Sequence, residues 1–244
     1  TMRQINSAGP QFAIHLGDAT WGWLAGETVE KFGPMAQRAN EIMGLLKCPL
    51  YNIPGTHDFR EHVVPKDPDP SLNASYEALR EKYKTFFGAD YHSFQIGDCY
   101  FIGLNNALLN TGQPVTDEMM AWFEEELKKA SSARLRIVLN HEPLFWRAPD
   151  ETGDVRNVNT CLQPGREQML SLLKKYKVDV VYSGHVHFDF ANDYEGIYLH
   201  TLNSCSNNRE FLFFSGTPVP FSVLAQAHDP YKFGYLLVRV RDGQ

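Results

Sequence analysis

Val178-Asp179-Val180-Val181-Tyr182-Ser183-Gly184-His185-Val186-His187 is the stretch whose reading decides the fold. Its β-branched first half has the length of a buried strand, and Gly184 breaks it just before two imidazoles. Three other stretches end alike. Phe12-Ala13-Ile14-His15-Leu16 runs into Gly17-Asp18, Leu50-Tyr51-Asn52-Ile53 runs after Pro54 into Gly55-Thr56-His57-Asp58, and Ile137-Val138-Leu139 runs into Asn140-His141. Each places a carboxylate or imidazole at the C-terminal lip of a strand, where open α/β sheets carry their sites. Groups of this kind converging on one point suit a borderline metal such as zinc, iron or manganese. A lone Gly-Asp is usually a turn, and a lone His at a strand end is usually a hydrogen-bonded surface residue. Recurrence at successive strand ends makes a shared metal site the better reading.

Outward from these junctions, strands alternate with helices. The spacing predicts the tail of a helix over 2–8, helices over 28–46, 75–86, 117–130 and 166–176, and a surface loop over 60–72, where Pro65, Pro68 and Pro70 fall. Strands are expected over 12–16, 49–53, 91–96, 99–104, 136–139 and 178–182, then over 197–202, 211–214, 220–225 and 234–240. Gly97-Asp98 marks a hairpin between two of them. The layout is α/β with a strand-rich C-terminal half, two sheets packed together with helices outside. No repeat, low-complexity tract or long linker divides it.

The chain has 244 residues and a formal charge of −6, so it lacks the basic footprint of a nucleic-acid binder. No apolar run approaches the length of a membrane-spanning helix. Cys48, Cys99, Cys161 and Cys205 are widely spaced, without a C-x-x-C pair, which argues against a zinc ribbon or a thioredoxin-type site. Two disulfides are arithmetically possible; four buried thiols are the preferred reading in a chain of this size. Asn73-Ala74-Ser75 fits a glycosylation sequon, but no signal peptide is visible at the start, and the compartment stays open. His15, inside a strand, reads as a satisfied core histidine. His62, His92, His200 and His228 read as structural or surface residues.

The ordered motifs resemble the calcineurin-like metallophosphoesterase superfamily from about Phe12 to His187. That family carries Asp-x-His, then Gly-Asp, then Gly-Asn-His followed by Asp or Glu, then a single His, then Gly-His-x-His. Gly17-Asp18 matches the second motif, Gly55-Thr56-His57-Asp58 the third imperfectly, His141 the fourth and Gly184-His185-Val186-His187 the fifth. Gly9-Pro10-Gln11-Phe12 and Tyr91-His92-Ser93-Phe94 look like the purple-acid-phosphatase-like branch. Trp21, however, stands where that branch has its iron-ligating Tyr, and an indole offers no oxygen to iron.

The resemblance implies a four-layer α/β/β/α sandwich with two mixed sheets, residues 1–244 forming a single catalytic domain truncated at its N-terminus. It implies two divalent transition metals, Mn, Fe or Zn. Asp18 would bridge them, His187 would complete the first, and His141 with His185 would hold the second. A metal-activated water would attack phosphorus in line, with His57 as general acid or electrostatic stabiliser and Asp58 orienting it. Two departures qualify this. Nothing before Gly17-Asp18 supplies the Asp-x-His motif, and Thr56 replaces the family's Asn with a shorter side chain. One metal is therefore expected to bind well and a second poorly.

The expected substrate is a small phosphoester or a phosphoprotein. Arg60 or Arg147 would pair with a phosphate oxygen, and Trp146 is the substrate-facing aromatic among Trp21, Trp23, Phe59, Phe145 and Phe188. The leading expectation is a metal-dependent phosphoester hydrolase. The alternative is a catalytically impaired binding or scaffold domain on the same fold, supported by the two departures. Against it, drift would not be expected to spare His57, His141, His185 and His187 at motif positions. A zinc amidase of the H-E-x-x-H type fails because His141-Glu142 runs into Pro143, and no G-x-S-x-G or P-loop is present.

Overall fold

The computed structural model describes residues 1–20, 29–59, 70–151, 160–187, 189–205 and 234–241. Helix α1 spans Met2–Ala8 and stops at Gly9, whose left-handed backbone (φ 61°) turns the chain out of the helix. Strand β1 is Ala13–His15 and β2 is Leu50–Asn52; they pair in parallel as one sheet, joined by α2, Val29–Met43. Helix α3, Pro70–Phe87, leads into the hairpin β3, His92–Ile96, and β4, Cys99–Gly103. Then come α4, Pro114–Lys129, β5, Leu135–Leu139, α5, Gly165–Lys175, and β6, Val180–Ser183. A second hairpin closes the series, with β7 at Phe190–Tyr194 and β8 at Ile197–Thr201.

Six of these strands form one mixed sheet in the order β3-β4-β5-β6-β8-β7. The pairs β4–β5, β5–β6 and β6–β8 are parallel, and β3 and β7 run antiparallel at the edges. Period-two alternation along the strands divides the interior. Ile102, Val138, Val181 and Leu199 face one core, together with Phe32 of α2, Tyr83 of α3, Phe123 of α4 and Leu173 of α5. Phe101, Ile137 and Leu139 face the other way, against Phe12, Ile14 and Leu16 around β1 and Ile53 after β2. The two sheets thus lie face to face, with helices on the far side of the larger one. This is the two-sheet α/β arrangement expected from the sequence, except that among the described residues the smaller sheet is a parallel pair and not mixed. Each fully buried Leu or Phe contributes on the order of 1.5–3 kcal/mol. Helix α1 is tied to the end of α2, the Asn6 amide donating to Leu45 O and accepting from Lys47 N, both at 2.8 Å.

Several elements differ from expectation. Helices α3 and α4 begin at Pro70 and Pro114, earlier than expected, because a proline at the first helical position fixes φ and loses no hydrogen bond. The end of the predicted 60–72 loop is therefore helical. Strand β7, with its polar Asn192-Asp193, was not anticipated. Residues 234–240 pair with no strand among the described residues, and Tyr235, Leu236, Leu237, Val238 and Val240 are exposed. The predicted strands over 211–214 and 220–225 lie outside the described residues. All four cysteines are free, Cys99 and Cys161 buried but Cys48 and Cys205 only partly so. Among the described residues, no helix is long and apolar enough to cross a membrane.

Candidate metal centre

The end of β1 in the small sheet meets the ends of β5 and β6, parallel neighbours in the larger sheet, so three strand ends come to one place. Asp18 follows β1 with φ 58°, and His185 and His187 follow β6 with φ 70° and 64°. Side chains rarely occupy this left-handed region, and such strain persists where surrounding structure imposes it, commonly at functional sites. The approach is close enough to demand glycine at two points. A Cβ on Gly17, itself at φ 97°, would stand 2.5 Å from His141 Nδ1, and one on Gly55 would overlap the Asp18 carboxylate.

One donor atom from each of Asp18, His141 and His185 falls within 4.8 Å of the others. His141 Nε2 is 3.2 Å from Asp18 Oδ2 and 3.2 Å from His185 Nδ1. The remaining polar groups of His141 are committed elsewhere. Its Nδ1 lies 2.6 Å from the carbonyl oxygen of Leu16, and its own carbonyl accepts from Gly184 N at 2.8 Å. A carbonyl can only accept, so Nδ1 carries the proton and Nε2 is presented to the cluster, the usual arrangement for a metal-ligating histidine. Two imidazoles and a carboxylate in a Gly-lined cradle fit a borderline divalent cation.

The electrostatics of the metal-free cluster follow from this geometry. Burial alone would lower His141, but the adjacent Asp18 carboxylate and the Leu16 carbonyl outweigh it and hold the imidazole up to about 9. Burial opposes ionisation of Asp18, yet His141, His57 and His185 pull it well below the usual carboxylate range. Asp58 is fully buried, and burial with the nearby Asp18 charge pushes it up to about 6.

The other motif residues surround the cluster. His57 sits in a short 3-10 turn, Thr56–Asp58, and its backbone N–H donates to Asp18 Oδ1 at 2.9 Å. Thr56 Oγ1 lies 3.4 Å from His185 Nδ1. Asp58 accepts from Gly55 N at 2.9 Å, Thr20 N at 2.9 Å, Thr20 Oγ1 at 2.9 Å and Ala19 N at 3.3 Å. It therefore grips the loop that carries Asp18 as well as its own turn. Asp18, His57, His141, His185 and His187 all line one cavity of about 940 Å³, but His187 is not part of the three-residue donor cluster.

The proposed substrate groups stand elsewhere. Trp146 stacks on Phe190 at 5.0 Å, and Arg147 is exposed, with both their backbone N–H groups held by the Glu151 carboxylate. Neither lines that cavity. Phe59 and Phe145 are core residues, not stacking platforms. Arg60, Trp21, Trp23, Phe188, His62 and His228 lie outside the described residues. His15 is not a satisfied core histidine: its Nδ1 is closed off from solvent and has no hydrogen-bond partner among the described residues. His200 instead pairs with Asp189 at 3.2 Å. Sequence reasoning missed Thr20, although a hydroxyl two residues after Asp18 was a visible candidate for anchoring that loop. It also missed Asn106, whose link to His141 crosses 35 residues and leaves no local signal.

Fold and centre together define a metallophosphoesterase-type protein. The chain belongs to the calcineurin-like phosphoesterase family, whose model matches residues 1–189. It is 30% identical over 154 residues to the zebrafish (Danio rerio) serine/threonine-protein phosphatase CPPED1, covering 61% of this chain and 45% of that protein. It is 30% identical over 151 residues to the probable glycerophosphodiester phosphodiesterase GpdQ of Arcobacter nitrofigilis, covering 60% of this chain and 48% of that protein. The chain thus spans about half the length of these relatives. Purple acid phosphatase PPD1 from yellow lupin seeds shares the fold with a TM-score of 0.54 at 18% identity, over 82% of this chain and 38% of that one.

Proposed function

We propose that the chain is a metal-dependent phosphoester hydrolase that holds one divalent transition metal tightly on Asp18, His141 and His185. The observation that carries this reading is their donor cluster within 4.8 Å at the lips of the strands. A cation bound there supplies polarisation of a phosphoryl oxygen and activation of a water molecule. His141 contributes Nε2 while its Nδ1–H stays on Leu16. His57, buried beside Asp18, is the group assigned to protonating or stabilising the departing oxygen. Asp58 keeps the Asp18 and His57 loops in one arrangement. His187, which lies outside the three-residue donor cluster, is assigned with Asp18 to a weaker second metal.

The substrate proposed is a small phosphoester or a phosphoprotein, in keeping with the phosphatase and phosphodiesterase activities in the relatives' names. Arg60 is proposed to pair with its phosphate, whereas Arg147 and Trp146, which do not line the cavity of the metal ligands, are proposed to touch a larger substrate at the rim.

The test is hydrolysis of p-nitrophenyl phosphate and bis(p-nitrophenyl) phosphate by chelator-stripped protein before and after restoring Mn²⁺ or Zn²⁺. Turnover that returns with metal and is lost in His141→Ala and His185→Ala supports the reading; turnover indifferent to both overturns it. Metal uptake without turnover of either ester would instead support the alternative, a catalytically impaired binding domain on the same fold.

A further inference from the structure

Strands β4 and β5 are parallel neighbours with Gly103 opposite Leu139, so their chains leave the sheet side by side. Leu104 N still donates to Leu139 O at 3.0 Å, and the next residues on each side are asparagines and His141. Here the Asn106 side chain, 3% exposed, meets the turn at His141 and Glu142. Its Oδ1 accepts from His141 N at 3.1 Å and from Glu142 N at 3.4 Å. Its Nδ2 donates to Glu142 Oε2 through a short hydrogen bond. On the other side, Asn140 Nδ2 donates to Glu142 O at 2.6 Å. His141 is thereby held at its backbone N–H by Asn106, at its carbonyl by Gly184 and at Nδ1 by Leu16, leaving Nε2 for the metal.

We infer that Asn106 is a positioning residue for the metal ligand His141, its Oδ1 holding the backbone N–H groups of His141 and Glu142 while its Nδ2 is anchored on the Glu142 carboxylate. The inference rests on the metal-binding reading above. An amide is suited to the task because one end must accept two N–H groups while the other donates to a carboxylate. Alanine would leave two buried N–H groups and the Glu142 carboxylate without these bonds, and the turn would move. Aspartate would keep the acceptor but set a second carboxylate against Glu142. Outer partners that orient metal ligands are commonly worth about 10–100-fold in metal affinity.

The experiment is Mn²⁺ and Zn²⁺ affinity by competition with a chromophoric chelator, together with the visible spectrum of the Co²⁺ form and the Tm of each metal-free protein. Asn106→Ala is expected to weaken metal by about tenfold or more and to alter the Co²⁺ spectrum. Tyr100→Phe is the control, because it breaks the 2.7 Å bond from the Tyr100 hydroxyl to the Glu126 carboxylate, near the opposite end of β4 from the His141 turn, and should lower Tm without changing affinity. Asn106→Asp should also lose affinity, and Asn106→Asp with Glu142→Gln, which reverses donor and acceptor, should regain most of it. Affinity within twofold of wild type in Asn106→Ala overturns the inference. So does failure of the double variant to improve on Asn106→Asp, which decides the matter if the alanine variant does not fold. Wild-type protein that takes up no metal overturns the underlying reading itself, and the inference with it.

Discussion

His141 Nδ1 lies 2.6 Å from the carbonyl oxygen of Leu16, two residues before Asp18. One ligand loop thus fixes the tautomer of a ligand on another, and the contact depends on Gly17 between Leu16 and Asp18. Gly17→Ala should disrupt both. The added Cβ meets His141 Nδ1 at 2.5 Å and the backbone of Gly55, at a φ of 97° that alanine disfavours. The expected cost is about 2–4 kcal/mol in urea unfolding, with metal affinity down tenfold or more. Unchanged affinity in a folded Gly17→Ala protein would contradict this account of the contact.

Asp58→Asn should loosen the same region from the other side. The carboxylate accepts from Ala19, Thr20 and Gly55 through both oxygens, and an amide would turn an NH₂ toward at least one of those N–H groups. A loss of about 2–3 kcal/mol follows from the unmade bonds. Backbone amide exchange at Ala19 and Thr20 should quicken. Exchange as slow as in wild type would show that Asp58 does not hold this loop.

The pH dependence of stability should contain a term from His15. Burial lowers this imidazole to about 4, with Asp18 opposing and His141 reinforcing the shift. Between pH 6.5 and 4 the unfolded chain therefore binds a proton there that the folded chain does not, and falling pH weakens the fold. His15→Leu removes the term. In chelator, the stability of the variant relative to wild type should rise by about 2–2.5 kcal/mol from pH 7 to pH 4.5. A gap independent of pH would refute it.

Arg80 and Asp90 form a two-pronged buried ion pair, at 2.6 and 3.2 Å, with Asn105 also donating to Asp90. Arg80→Ala strands the carboxylate and should cost about 3–5 kcal/mol. Arg80→Leu with Asp90→Asn should recover more than half of that loss. If the double variant is no better than the single one, packing of the Arg80 stem rather than charge is what matters.

Much of this centre was legible in the sequence because its chemistry sits where apolar runs stop at small residues. Val178 to Tyr182 before Gly184, and Ile137 to Leu139 before His141, mark strand ends and ligands together. The prolines were legible only as breaks: Pro70 and Pro114 open helices, and a one-dimensional pattern does not distinguish a first helical residue from a loop. Residues 234–240 have the apolar composition of a strand, but pairing depends on a neighbour that composition does not reveal. Asn106 was invisible for a related reason, since its role comes from the parallel register of β4 and β5. The orphaned Nδ1 of His15 likewise depends on what packs around it.

The central claim is a single tight metal on Asp18, His141 and His185. Elemental analysis of the purified chain after equilibration with Mn²⁺ or Zn²⁺ and gel filtration tests it most directly, with His141→Ala and His185→Ala measured alongside. About one metal per chain is expected in the wild type, the number one three-donor cluster accommodates, with a clear loss in both variants. Two tightly held metals, none, or a content unchanged by either substitution would contradict it.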